Sequence, residues 1–501
     1  MAIGNPDDGA GVGDDSGAKK QRVDEQGDGS EVVGADPISV DRISALPDDL
    51  RRRILTHLVL KEAIRTGALA RGWRDLWRSR WDRGSIEVCL YSRNDPQREL
   101  GALEQEPPPR LRMDRFSLVV ETSWLKSSEL KRFIRYATDR RVEDLHVAMR
   151  KSGKNKLNFH LPLSSWTLVC LSLHRISISN MYYKGARPFR ALEAIRLYSV
   201  SIKVGFTTMM ELCPSLVTLD LRDCNIHCDI RCDRGTRLLL VPRTVKNVTI
   251  VECDGYSKIW MLTRNLRSFR YSGDVCHGLF YLPWEGSMLA DLYIQFANQL
   301  VSNQHNIDSL EFSIPKNIPG LNVLTICCNA LQVASYSLPS NGVTLPSRNL
   351  HSLRELQLLM SDMEAVNLAD LYVFLKSCRC PNLKRLFVQL SAFSNEPMEG
   401  PIDQVREEPP QDGFDNLVMV KVMNFSWRPT EVQLVSFLLR KASSLCKILI
   451  VSPNNTPLDL PGVQEADLLL LKEALANGKI VLSEFDDATI QPYHSEAFIK
   501  F

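Results

Sequence analysis

Three cysteines at four-residue spacing, Cys224, Cys228 and Cys232, with His227 beside them, come closest in this chain to a metal-binding group. Zinc uses thiolates and imidazoles in two close pairs, with two to four residues inside each pair. No clean second pair follows here, and Cys224 also fills a repeat position described below. The trio reads as structural, with zinc left open. The nine histidines are scattered, and His160, His174 and His277 read as surface or satisfied core residues. No glycine-rich phosphate loop, His-Glu-x-x-His or Gly-x-Ser-x-Gly occurs. No cysteine has neighbours that mark it as a transfer nucleophile. The expectation is a binding protein with no catalytic residue and no cofactor.

Length and composition agree with that reading. At 501 residues the chain is long enough for two to four domains or one elongated repeat array. Apolar residues make up 44% and charged residues 24%, and the net charge of +2 favours neither nucleic acid nor an acidic substrate. No apolar run approaches the ~20 residues that cross a bilayer, so no membrane partner is expected. Met1 to Gly17 is acidic and Gly-rich, unlike a secretory signal. The 13 cysteines read as buried hydrophobes in a reducing cytoplasm and/or nucleus. Residues 1–37 lack aromatics and are expected to be disordered. Lys19, Lys20 and Arg22 within them fit a short nuclear import signal or a solvated tail.

The pattern changes at Asp41. Pro47 suits the first turn of a helix, and Asp48 and Asp49 favour its positive end. Leu50, Ile54, Leu55 and Leu58 recur on one face, with Arg51, Arg52 and Arg53 largely toward solvent. A second helix is expected over Lys61 to Thr66, with Ala63 and Ile64 inward, ended by Gly67. A third carries Leu69, Trp73, Leu76 and Trp77 as one stripe.

The stretch Ile43 to Trp81 resembles an F-box. Leu46-Pro47 matches its start, Ile54, Leu55 and Leu58 its apolar core, Arg65-Thr66 its middle element, and Trp73, Arg74, Leu76 and Trp77 its ending. Gly67 and Gly72 stand where many plant members carry Ser and Arg. The resemblance implies docking on a Skp-type adaptor and, through it, a cullin. The adaptor-binding residues it implies are Leu46, Pro47, Ile54, Leu55, Leu58, Leu69, Trp73, Leu76 and Trp77. A three-helix unit of ~40 residues is too small to bury two tryptophans by itself. At least one of Trp73 and Trp77 is therefore expected to anchor the adaptor, the other packing on the first repeats beside Trp81.

Beyond residue 84 the spacing apolar-x-x-apolar-x-apolar recurs. Leu168, Leu171 and Leu173 are followed 24 residues later by Leu192, Ile195 and Leu197, then by Leu216, Leu219 and Leu221. Ile176 and Ile178, Val200 and Ile202, and Cys224 and Ile226 follow at one offset. This is the leucine-rich-repeat template, with Cys224 in the slot that takes Asn or Cys. The triplet also appears from Met113, Phe116 and Leu118 through Leu445, Ile448 and Ile450. Each triplet predicts a short strand, and the residues between must cross back to start the next parallel one. Helical stripes at Leu130, Phe133, Ile134 and Ala137 and at Leu368, Leu371, Tyr372 and Leu375 supply two crossovers. The polar stretch Asn395 to Gly413 reads as a flexible loop or a domain joint. Leu417 to Pro453 resembles the FBD motif of plant F-box/LRR proteins, with a helix over Glu431 to Lys441 capped by Thr430 and Gln433.

The expected fold is α/β: a three-helix F-box at 38–83, irregular leucine-rich repeats at 84–405, and an FBD-like continuation at 406–501. The resemblance implies a substrate-recognition subunit of a Skp-cullin-F-box ubiquitin ligase, its concave strand face holding an unknown protein target. A non-degradative F-box/LRR scaffold or orphan receptor is the alternative. Nucleic acid is not expected, because the F-box arginines interleave with an apolar docking face.

Overall fold

In a computed structural model the chain divides into two compact units, Met1–Trp81 and Asp82–Phe501. The structure describes 46–56, 60–68 and 71–79 of the first unit and most of 84–495 of the second. The larger stretches outside the description are 106–112, 151–156, 161–165, 180–187, 231–236, 275–279, 282–287, 298–317, 337–347, 392–404 and 453–462. The 1–37 tail, Leu58, Leu69, Trp81, Cys232 and His277 also lie outside it.

The first unit begins with the helix Asp48–Thr56, whose first turn accepts the Arg51 N–H on the Pro47 carbonyl at 3.1 Å. A second helix, Leu60–Thr66, follows. The expected third helix is instead two 3₁₀ turns, Arg71–Trp73 and Leu76–Ser79. Gly72 lets the Arg51 guanidinium cross close to the backbone there: Nη1 donates to the Gly72 carbonyl at 2.9 Å, and a Cβ at Gly72 would meet that nitrogen at 2.4 Å. Arg51 thus ties the first helix to the turns rather than facing solvent. Arg52 pairs with Asp49 at 2.9 Å on the surface.

The second unit is built on one sheet of 15 strands, all parallel and in chain order, from Ser85–Leu90 to Ile480–Ser483. The 24-residue triplets fall on Cys170–His174, Ala194–Tyr198 and Thr218–Arg222, which pair in register as Leu171–Ile195–Leu219 and Leu173–Leu197–Leu221. All six side chains are buried, so the apolar period of 2 points one face of every strand into the core. The following apolar pairs form a second small parallel sheet from Asn158–Phe159 to Asn225–Ile226. Between the two sheets the chain turns through positive φ at Arg175 (53°), Ser199 (55°) and Asp223 (51°), again 24 residues apart. The amide of each donates to the next strand, at Tyr198, Arg222 and Val251, so the ladder continues through the corner.

Helices cross back where the stripes place them, at Ser127–Asp139 and Ala365–Ser377. The helix expected from Glu431 runs Pro429–Lys441. Its cap differs from the expected Thr430–Gln433 box. The Glu431 carboxylate accepts the Ser426 and Arg428 amides at 2.8 and 3.3 Å, while the Thr430 hydroxyl donates to the Met363 carbonyl. Burial raises the Glu431 carboxyl to about 7. Most of Asn395 to Gly413 lies outside the described residues, and the strands on either side, Arg385–Leu390 and Met419–Met423, pair directly. Among the described residues no disulfide forms, and no helix is long and apolar enough to cross a membrane.

Candidate protein-interaction faces

The first unit has a small interior. Leu55 and Ala63 are fully buried, Trp73 is 3% exposed, Leu76 is buried, and Trp77 packs partly against them. Leu55, Trp73 and Leu76 therefore hold the unit together, and their place is not on its surface. Trp73 is buried in the unit, and Trp77 is partly buried. Its apolar surface is made by Leu50, Ile54 and Ile64, each 40–46% exposed. Ile64 was expected inward. Leu50 and Ile64 were legible as apolar residues but not as outward-facing ones. The helix register splits Leu50 and Ile54 from Leu55, one position further round. Pro47 is exposed and Leu46 half-buried at the entry to the same helix.

In the second unit the candidate face is the side of the 15-stranded sheet opposite the core, lined by the residues between the buried apolar ones. Its earlier strands carry a connected polar row. The His146 and His174 rings meet edge-on at 5.1 Å, and His174 stacks on Tyr198 at 4.4 Å. The Tyr198 hydroxyl donates to Asp220 at 3.0 Å, and Arg222 Nε holds the other Asp220 oxygen at 2.9 Å. Burial lowers His146 to about 3, with the His174 and Arg115 charges adding to it. Burial, then Asp220, pushes Tyr198 up to about 12. Both groups are thus neutral hydrogen-bonding and stacking surfaces at neutral pH, and the fixed charges belong to Asp220, Arg222 and the exposed Arg196. His174, expected as a surface or core residue, is a half-buried member of this row.

The later strands carry an unexpected feature. The FBD-like segment continues the array through Met419–Met423 and Lys447–Val451, and Ile480–Ser483 adds a last strand, but the chain after Ser483 returns over this face instead of extending it. Asp486 meets the Lys421 ammonium at 2.6 Å, and the Ile490 carbonyl accepts from it at 2.8 Å. The Tyr493 amide donates to Glu355 at 2.7 Å. His494 lies with Nδ1 at 2.7 Å from the Thr325 hydroxyl and Nε2 at 3.1 Å from Asp291. Burial lowers the His494 pKa despite the Asp291 bond. Lys421, Thr325 and Gln357 are fully buried as a result.

Cys224 occupies its repeat slot as a buried thiol that donates toward the Leu197 and Arg222 carbonyls at 3.3 and 3.2 Å. Burial raises the Cys228 thiol to about 11. Among the described residues no group of three or more Cys, His, Asp and Glu side chains is placed to hold a metal.

A helical N-terminal unit of this pattern followed by a parallel repeat sheet defines the F-box/LRR class, and the chain belongs to that family. Residues 43–83 match the F-box domain, and 110–458, well over half the chain, match the LRR domain of the At1g61320/AtMIF1 type. Its relatives are plant proteins. The F-box/FBD/LRR-repeat protein At5g44980 of Arabidopsis thaliana is 24% identical, covering 82% of this chain and 92% of that one. The F-box/LRR-repeat protein 13 of the same plant is 24% identical over 87% and 94%. The FBD-associated F-box protein At5g38590 is 27% identical over 38% of this chain and 45% of its own length.

Proposed function

We propose that this chain is a non-catalytic substrate receptor of a Skp-cullin-F-box ubiquitin ligase. The first unit docks on a Skp-type adaptor, and the outer face of the repeat sheet holds a protein target. The chemistry is proximity: a bound target presents its lysines at high local concentration to the conjugating enzyme. The observation that carries the reading is the surface of the F-box unit. Leu50, Ile54 and Ile64 are exposed around a core in which four side chains are buried among the described residues, and an apolar patch on so small a unit marks an interaction site. The contact set is Leu46, Pro47, Leu50, Ile54, Ile64 and the uncovered part of Trp77. Leu55, Trp73 and Leu76 support it from below.

The test is co-purification of the full chain with a plant Skp-type adaptor. Replacing Leu46 and Pro47 together by Ala, or Ile54 by Arg, is expected to abolish capture while the melting temperature of the repeat unit stays put. Capture of either variant at the wild-type level sinks the docking assignment.

A further inference from the structure

The outer face of the sheet has a built floor that the receptor role does not use. Asp291, Thr325, Glu355, Gln357 and Lys421 stand on the outward side of their strands, beside buried neighbours such as Leu324, Leu356 and Val420. They are side chains that belong on a wet or binding surface, yet all are buried. What meets them is the chain's own Asp486, Ile490, Tyr493 and His494.

We propose that Asp486 and Thr489–His494 form a releasable intrachain occupant of a peptide-binding floor on the outer face, and that this floor takes a peptide bearing a carboxylate and, eight residues on, an imidazole. Three observations carry this. First, the described contacts lay the segment across the strands. The contacts run from Lys421 back through Glu355 and Thr325 to Asp291, crossing five adjacent strands. Four inter-strand gaps span roughly 19 Å, within the ~27 Å that eight extended residues reach. Side chains alternate at the far end, with Pro492 and His494 buried and Gln491 and Tyr493 exposed.

Second, the contact is polar. Among its contacts are one ion pair, two backbone hydrogen bonds and two imidazole hydrogen bonds, beside an edge-on contact of the His494 ring with Tyr293 at 5.6 Å. Ile490 packs partly on the core, while Phe485 is 78% and Tyr493 55% exposed. A segment that belonged to the core would bury those rings.

Third, release strands nothing. Removing only Asp486 would leave a buried ammonium without its counter-charge, which is costly. Lifting the whole segment instead returns Lys421, Glu355, Asp291 and Thr325 to water together. The consequence deepens the proposed function and rests on its reading of the outer face. A target has free access to the earlier strands, and reaches the later ones only by displacing the segment.

Hydrogen exchange on the full wild-type chain tests release with no target present. The Tyr493 amide and its neighbours are expected to exchange at least 100-fold faster than the amides of Glu355–Met360 beneath them. Equal protection would make the segment an integral part of the array and overturn the proposal. The second arm uses a labelled synthetic peptide of residues 484–501, added to the full chain and to the full-chain double variant Asp486→Ala/His494→Ala. Binding is expected to be at least tenfold tighter to the double variant, and to disappear when Lys421→Met is added. Binding that ignores Lys421, or a folded double variant that binds no better than wild type, defeats the site assignment. If the double variant does not fold, the exchange arm on the wild type decides alone. Loss of adaptor capture or of target binding bears on the proposed function and leaves both arms intact.

Discussion

Thr249 and Thr325 occupy the same place in two repeats. Each sits between buried apolar residues on a parallel strand, and the sheet register connects them directly through Arg270 and Tyr293. Thr249 is half-buried, whereas Thr325 has no exposed surface. The same contrast holds for several outer-face positions, although Ser117, Ser172 and Asp220 of the earlier strands are buried as well. Arg196 is exposed and His146 and Arg270 half-buried in the earlier strands, while Gln357, Phe387 and Lys421 are fully buried in the later ones. The repeat dictates which way a side chain points, but not what it meets there. In the earlier half it meets solvent and its strand neighbours. In the later half it meets a segment that returns from the end of the chain.

The largest effects should ignore this contrast. Leu219 and Leu324 are both fully buried on the inner face, one in each half. Leu219→Ala and Leu324→Ala are each expected to cost about 2–5 kcal/mol, through lost burial and the cavity left behind. Urea denaturation of the two variants compares them. Equal losses say that one continuous core underlies both halves. A much larger loss at Leu324 would mean that the covering segment is part of the later core, and the two halves would then differ in kind rather than in cover.

A middle-sized effect should track the contrast. The Thr325 hydroxyl lies 2.8 Å from Gln357 Oε1 and 2.7 Å from His494 Nδ1, in a site without water access. Thr325→Val keeps the shape and removes both contacts, for an expected ~1–3 kcal/mol. Thr249→Val at the equivalent position is expected to stay within about 0.5 kcal/mol. If the segment lets go in Thr325→Val, the loss cannot exceed the free energy of docking it. Exchange at the Tyr493 amide separates those outcomes.

How far the sequence carries depends on the kind of contact. The repeat sheet was legible because each strand announces itself by three apolar residues. The two strands that escaped reading fail that test at one position. In Ser85–Leu90 the register puts Arg83 where the leading apolar residue should stand, and in Ile480–Ser483 it puts Asn477 there. Both are edge strands, covered on one side only, so the pattern is relaxed where there is less to bury. The F-box was legible by resemblance, but not its inside and outside. Two 3₁₀ turns replace the third helix, and a helical wheel does not apply to them. The covering segment left no mark. Its contacts join residues up to 203 apart in sequence, through single polar side chains that would be ordinary on any surface.

The smallest effect belongs to the open half. Tyr198 is held there by its ring, which stacks on His174 and carries the Arg222 guanidinium 5.3 Å from its centre, and by its hydroxyl, which donates to Asp220. Tyr198→Phe keeps the stack and removes only the donor. Asp220 is not orphaned, because Arg222 Nε remains at 2.9 Å and Nη2 at 3.2 Å from its carboxylate. An accepting carboxylate that keeps an ionic partner loses little when one neutral donor goes, so the expected cost is below about 1 kcal/mol. That sits beneath the Thr325→Val loss, although both changes delete one hydroxyl from the same face of the same sheet. If Tyr198→Phe costs as much as Thr325→Val, the earlier strands are as enclosed as the later ones. The open half would then not be the free surface on which target recognition is placed. If the cost is small but target binding drops, the hydroxyl's work is to hold Asp220 and Arg222 in position for the target rather than to stabilise the repeat.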